Sequence, residues 1–200
     1  WRIKFADDQA KRVEVIPALD GKKPIFFGGA GAIHPKVREK MFEILYSTES
    51  YDFLDELSVI EISILRKDFS VFDINDQTSQ RPLKVSEKKL ELFTFTGSQI
   101  NRTIQFLFDM VGIANVMEEQ RSALEIKVSD EEFNARWGSW KDSQVELDLK
   151  IQEKIESNPS IIMSFSKWAV YLPISYQTRL LKQKYFDFDS AEKLLDQMKP

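Results

Sequence analysis

Two apolar stripes at helical spacing dominate the second half of the chain. Ile100, Ile104, Leu107, Val111 and Ala114 recur at alternating steps of four and three. That spacing puts them on one face of a helix from about Ser98 to Glu119. Phe133, Trp137, Trp140, Leu147, Ile151 and Ile155 form a second stripe, interrupted at Gln144. Ser129 and Glu132 open it as a capping box, each satisfying a free backbone amide of the other. Asn158-Pro159 closes this helix and starts the next, whose stripe is Ile161, Phe165, Trp168 and Leu172, ending before Pro173. Helices are expected over about 175–184 and 190–198, the last capped by Asp189 with Glu192 three residues on.

The first third mixes signals. Arg2–Phe5, Arg12–Ile16 and Pro24–Phe27 are short strand patterns. Pro35 to Tyr46 reads as a helix with Val37, Met41 and Leu45 on one face. Residues 52–67 fit a helix running into a strand. Ser70–Ile74, Leu90–Thr96 and Leu124–Val128 read as strands. The fold class is therefore α+β, with short strands and a helix in the N-terminal third and mainly amphipathic helices in the C-terminal half. The division expected is 1–96 mixed and 97–200 mainly helical, or one continuous domain.

Composition removes several kinds of chemistry. The chain has no cysteine and one histidine, His34. Disulfides, thiolate metal sites, cysteine nucleophiles and multi-histidine metal sites drop out. Carboxylate and lysine chemistry stay open. Net charge is −4, so any nucleic-acid contact has to come from a local patch. No run of apolar residues is long enough to span a bilayer. These features fit an intracellular, cytoplasmic protein, and no cofactor is expected. A chain that opens on Trp1 is expected to be a processed or partial form.

The stretch Phe26 to His34 reads as strand, glycine loop and helix. Gly28, Gly29 and Gly31 would let backbone amides approach a phosphate at the following helix end. No Gly-Lys-Ser/Thr follows, and His34 stands where a dinucleotide fingerprint has its third glycine. The alternative is a tight turn that needs positive φ. His34 is either a general base or a helix cap.

Phe26 to Gly31 also resembles the opening loop of sirtuin deacylases, up to the point where that family's Gly-Ile-Pro-Asp-Phe-Arg run is missing. Pro35, Val37, Met41, Ser50 and Phe53 fall at the spacing found in class V aminotransferases. Phe95-Thr96-Gly97-Ser98 is similar to that family's phosphate cup, and Ser166-Lys167 with Pro173 to its Schiff-base region. Gln99 replaces the second glycine of the cup, and the stretch from cup to lysine is short. The resemblance implies pyridoxal phosphate carried by Lys167, with Gly97 and Ser98 on its phosphate.

Asp52, Asp55, Glu56 and Glu61, with Lys67 nearby, either bind a divalent ion for phosphodiester hydrolysis or form a solvated helix face. Finally, Pro159 to Phe186 holds Lys167, Arg179, Lys182 and Lys184 and no carboxylate. Phe165, Trp168, Tyr171, Tyr176, Tyr185 and Phe186 are interleaved. Three readings stand: a helical core with a basic rim, a protein interface, or a nucleic-acid track. The sequence favours a non-enzymatic interaction or assembly subunit that binds a protein partner, or itself, through Trp168, Tyr171, Tyr176, Arg179, Lys182 and Lys184. The alternatives are a phosphate-ligand enzyme, or a degenerate aminotransferase relative, using Gly28 to Gly31, and a nucleic-acid-binding protein.

Overall fold

A computed structural model describes residues 2–7, 10, 12–17, 31–87 and 89–198, and contacts divide the chain into a unit ending at Gly31 and one beginning at Ala32. In the first unit, β1 (Arg2–Asp7) and β2 (Arg12–Ile16) pair antiparallel, where the alternating sequence puts strands. The strand expected over 24–27 lies outside the described residues.

The second unit begins with α1 (Pro35–Tyr46) and α2 (Glu56–Phe69). His34 caps α1, its Nδ1 accepting the Lys36 amide at 3.3 Å. Asp55 caps α2, its carboxylate accepting the Ser58 amide at 2.7 Å. The strand expected at the end of 52–67 does not form. Arg66 and Lys67 complement the C-terminal helix dipole, and the helix runs on to Phe69. Nor is 70–74 a strand. Ser70 donates to the Arg66 and Lys67 carbonyls and Phe72 to Phe69, so local turns use the amides a ladder would need.

One sheet follows, antiparallel throughout, in the order β3 (Leu83–Ser86), β4 (Lys89–Phe93), β6 (Ala123–Ile126), β5 (Asn115–Glu118). Leu90 faces Ile126 and Leu92 faces Leu124 across the β4–β6 pair, and all four are buried. Glu91 and Glu125 alternate to the other side. Their like charges are met by Arg121 at Glu91 and by Lys89 at Glu125, 2.8 Å apart.

Between β4 and β5 runs α3 (Ser98–Met110), which stops nine residues before the expected Glu119. The reason is Gly112, at φ +73, a left-handed backbone that glycine adopts freely. It turns the chain so that Ile113 donates back to Phe108, and 115–118 pair with β6 instead of continuing the helix.

The long helix expected from Ser129 is broken too. Gly138, at φ +85, separates α4 (Asp130–Arg136) from a 3-10 segment (Ser139–Glu146) and α5 (Leu147–Ser157). Its stripe survives the break: Phe133, Trp140, Leu147, Ile151 and Ile155 are all buried. After it come α6 (Ser160–Met163), a 3-10 turn (Ala169–Tyr171), α7 (Ile174–Lys184) and α8 (Phe188–Gln197). Asp187, not Asp189, caps α8 through the Ser190 amide. Starting two residues early leaves Asp189 in the first turn, where a negative charge suits the dipole.

Three cores hold these elements. The sheet, α3 and α8 enclose Leu90, Leu124, Ile126, Ile104, Phe108 and Leu195. Phe106, on another side of α3, packs with Ile151, Ile155, Ile162, Leu181 and Phe186. Phe42, Phe93, Phe95 and Ala123 form the third, with Phe69 and Phe72 against them. Residues on both sides of position 97 thus share the first core. Arg38 is buried, donating from Nη2 to the Glu119 carbonyl, with Nη1 unpartnered among the described residues. The described chain is a mixed α+β protein with most of its helix in the C-terminal half.

The turn over 73–81 gives a pH prediction. Ser79 and Thr78 hydroxyls each donate to Asp76 at 2.6 Å, and the Thr78 amide does so at 2.9 Å. These donors favour the ionised form and hold the Asp76 pKa down to about 2 from 3.8. A depressed carboxyl stabilises the fold above its ordinary pKa and stops doing so as pH falls through the folded value. The Asp76 carboxyl carbon is therefore expected to titrate near pH 2 by NMR, with the Thr78 and Ser79 amides shifting at the same midpoint. A midpoint near 3.8 would mean the turn does not hold it.

Candidate partner-binding surface

The chain from Ser164 to Pro173 carries the 3-10 turn but no α-helix. Ile162 just before it and Ala169 within it are buried in the second core. Gln177 of α7 donates its side-chain amide to the Val170 and Leu172 carbonyls, at 3.2 and 2.7 Å. The Trp168 amide donates to Ser166 Oγ. With α6 ended after one turn, Phe165, Trp168 and Leu172 no longer share a helix face, and all three are exposed. This corrects the helical stripe expected there.

Held this way, Trp168 is 65 % and Tyr171 79 % exposed. Their rings touch, with centroids 6.2 Å apart, and Lys167 Nζ lies 4.9 Å from the Trp168 ring. A cation over an indole face is attracted by the ring quadrupole.

On α7, Gln177, Thr178 and Leu181 face inward. Tyr176 and Arg179, three apart, fall on the opposite side by helical geometry, and Tyr176 is 59 % exposed. Tyr176 makes no ring contact with Trp168 or Tyr171. Lys182 is not a free cation: its Nζ pairs with Asp148 of α5 at 2.8 Å. The Lys184 carbonyl accepts the Gln99 side-chain amide at 2.7 Å, while its own side chain is exposed. Of the six residues expected at the surface, then, two form one aromatic pair, two share an outward helix face, Lys182 is paired within the fold and Lys184 has an exposed side chain. Met163, Leu172 and Ile174 add exposed apolar area.

No family model, no curated protein and no solved structure matches this chain.

The other expected sites are placed as follows. Gly28 and Gly29 lie outside the described residues, and Gly31 is exposed, with no described atom within 4 Å of where a Cβ would lie. Thr96 and Ser98 are buried. Ser98 Oγ accepts the Ile33 amide at 2.9 Å and donates to Glu119 at 3.2 Å, and Pro35 packs directly on Gly97. Protein groups thus occupy the polar positions that the aminotransferase resemblance gives to a phosphate. Lys167 is exposed against Trp168. Among Asp52, Asp55, Glu56 and Glu61, Asp55 is the cap of α2. Among the described residues no group of three or more histidines and carboxylates is placed to hold a metal ion.

One open groove of about 400 Å³ is lined by Phe106, Asp109, Met110, Lys150, Glu153, Lys154 and Ser157. Burial pushes the Asp109 carboxyl up, with Lys154 and Asn115 pulling the other way. Lys150 and Glu153 pair across 2.9 Å, so the lining charges largely cancel. Among the described residues, no helix is long and apolar enough to cross a membrane.

Proposed function

We propose that this chain is a protein-interaction subunit that binds a protein partner through the surface built by Trp168, Tyr171, Tyr176, Arg179 and Lys184, with Lys182 at its edge. One observation carries the reading: Trp168 and Tyr171 are in ring contact with each other, pinned by Gln177 and two buried anchors, yet mostly solvent-exposed. Large aromatic rings held rigidly at a surface lose little entropy on binding and concentrate affinity there. Contiguous exposed apolar area is uncommon on a chain that works alone.

The test is capture from a matched extract by the purified chain and by a Trp168→Ala/Tyr171→Ala variant. Both side chains are exposed, so the variant is expected to melt like the parent. A partner retained by the parent should fall at least about tenfold, a loss of roughly 1.4 kcal/mol or more. Equal retention would overturn the reading.

The carboxylate-free stretch from Pro159 to Phe186 supports a second reading, in which the same rings stack bases and Lys167, Arg179 and Lys184 follow a phosphate backbone. A single-stranded oligonucleotide should then bind at low salt, with affinity falling linearly in log salt. No binding at low salt would remove it.

A further inference from the structure

Helix α2 carries an apolar stripe on the side turned away from the body. Its half-buried positions, Ser58, Ile62, Arg66 and Phe69, recur at four, four and three and turn towards the body. Leu57, Ile60 and Ile64 recur at three and four on the opposite side. They are 74, 53 and 48 % exposed, and α2 has no buried residue at all. A surface helix ordinarily turns its apolar stripe to the core and its polar face outward. Among the described residues, α2 leaves an aliphatic stripe on its exposed side.

Charge says what kind of cover fits. Asp55, Glu56, Glu61 and Asp68 are exposed along α2 and at its start. Arg66 is consumed within the fold, donating to the Ile44 and Glu49 carbonyls and to Ser47 Oγ, each at 3.0 Å. Lys67 is the one remaining cation on the helix. The face is an aliphatic ridge with a mostly acidic border. A second copy does not suit it: whether the two-fold axis runs along the helix or across it, pairing sets one mostly acidic border against another, a like-charge contact.

We infer that α2 docks a basic amphipathic helix of a partner protein. The partner's apolar stripe covers Leu57, Ile60 and Ile64, and lysine or arginine beside that stripe meets Glu56 and Glu61. Four turns of partner helix match the length of α2, at about 1.5 Å per residue. The site is separate from the aromatic surface and does not depend on it.

Three fluorescent peptides of about 18 residues test this against the full chain by anisotropy. One carries a leucine stripe flanked by lysine, one the same stripe flanked by glutamate, and one the lysine composition with the stripe scrambled. The first should bind at micromolar concentration and at least about tenfold more tightly than the others. Ile60→Asp with Ile64→Asp should weaken it at least tenfold, and Trp168→Ala should leave it unchanged. Glu56→Lys with Glu61→Lys keeps the apolar stripe and should shift preference to the glutamate-flanked peptide. Three results would each overturn the inference: equal binding of all three peptides, binding indifferent to the Ile60 and Ile64 changes, or a dimer of the free chain that those changes dissolve.

Discussion

Trp140→Ala is expected to lower stability by about 3–5 kcal/mol, the range for emptying a large aromatic site in a packed core, while Trp140→Phe costs far less. Trp140 is buried in the first core and meets Trp137 edge-on, with centroids 5.5 Å apart. It follows Gly138, where the chain has just left α4, so its ring fixes the return of the 3-10 segment to the core. Yet its indole Nε1 is buried with no acceptor among the described residues. Desolvating an unpaired donor costs free energy, and phenylalanine removes that donor while keeping most of the ring. Urea unfolding of the two variants separates ring volume from N–H. Equal losses would show that the N–H makes a bond the fold relies on.

Gly97→Ala is expected to cost about 1–3 kcal/mol by overpacking. A Cβ at Gly97 would lie 2.6 Å from Pro35 Cδ, 2.7 Å from Cγ and 2.9 Å from the Pro35 backbone nitrogen. Ring and backbone cannot swing aside as a flexible side chain would. The two chains are also tied there: the Ser98 amide donates to the Ile33 carbonyl at 3.0 Å, and the Ile33 amide to Ser98 Oγ. Gly97 has φ −71, so conformation is not the issue, only space. Gly138→Ala is the matching control. Its φ is +85, but no described atom beyond its chain neighbours lies within 4 Å of a new Cβ, so only the backbone preference is lost, about 1–3 kcal/mol. Thermal melts should show both variants destabilised, Gly97→Ala through contact and Gly138→Ala through backbone strain. A Gly97→Ala variant that melts like the parent would mean that α1 and α3 are not clamped at Pro35.

Periodicity in the sequence carried the elements whose partners lie close by. Helix α1 matches its expected bounds because Pro35 and His34 mark its start locally. The stripe from Phe133 to Ile155 was legible as a set of core residues, since burial depends on which side chains are apolar. It was not legible as one helix, because Gly138 adopts a left-handed backbone, and an isolated glycine in a helical pattern gives little warning of that. Strand β5 was hidden for a similar reason: Val116 and Met117 look like more of α3 until Gly112 turns the chain. The candidate surface was half legible. The absence of carboxylates around aromatic residues pointed to 159–186, but Trp168 and Leu172 were assigned to a helix face that the early end of α6 abolishes. The outward side of α2 left a signal too, in Leu57, Ile60 and Ile64. Its isoleucines and valine also suit a strand, and that second pattern obscured it.

Helix α3 gives Ile104 and Phe108 to the core under the sheet and Phe106 to the core among the C-terminal helices. A single rod of thirteen residues is therefore a wall common to two rooms. Trimming the chain back to Gly138 would strip the far side of that wall, leaving Phe106 bare and removing Trp140 and Leu195 from the near side. Neither the sheet nor the helical tail can be lifted out as a free-standing piece, and an insertion or deletion tolerated in one will be felt in the other.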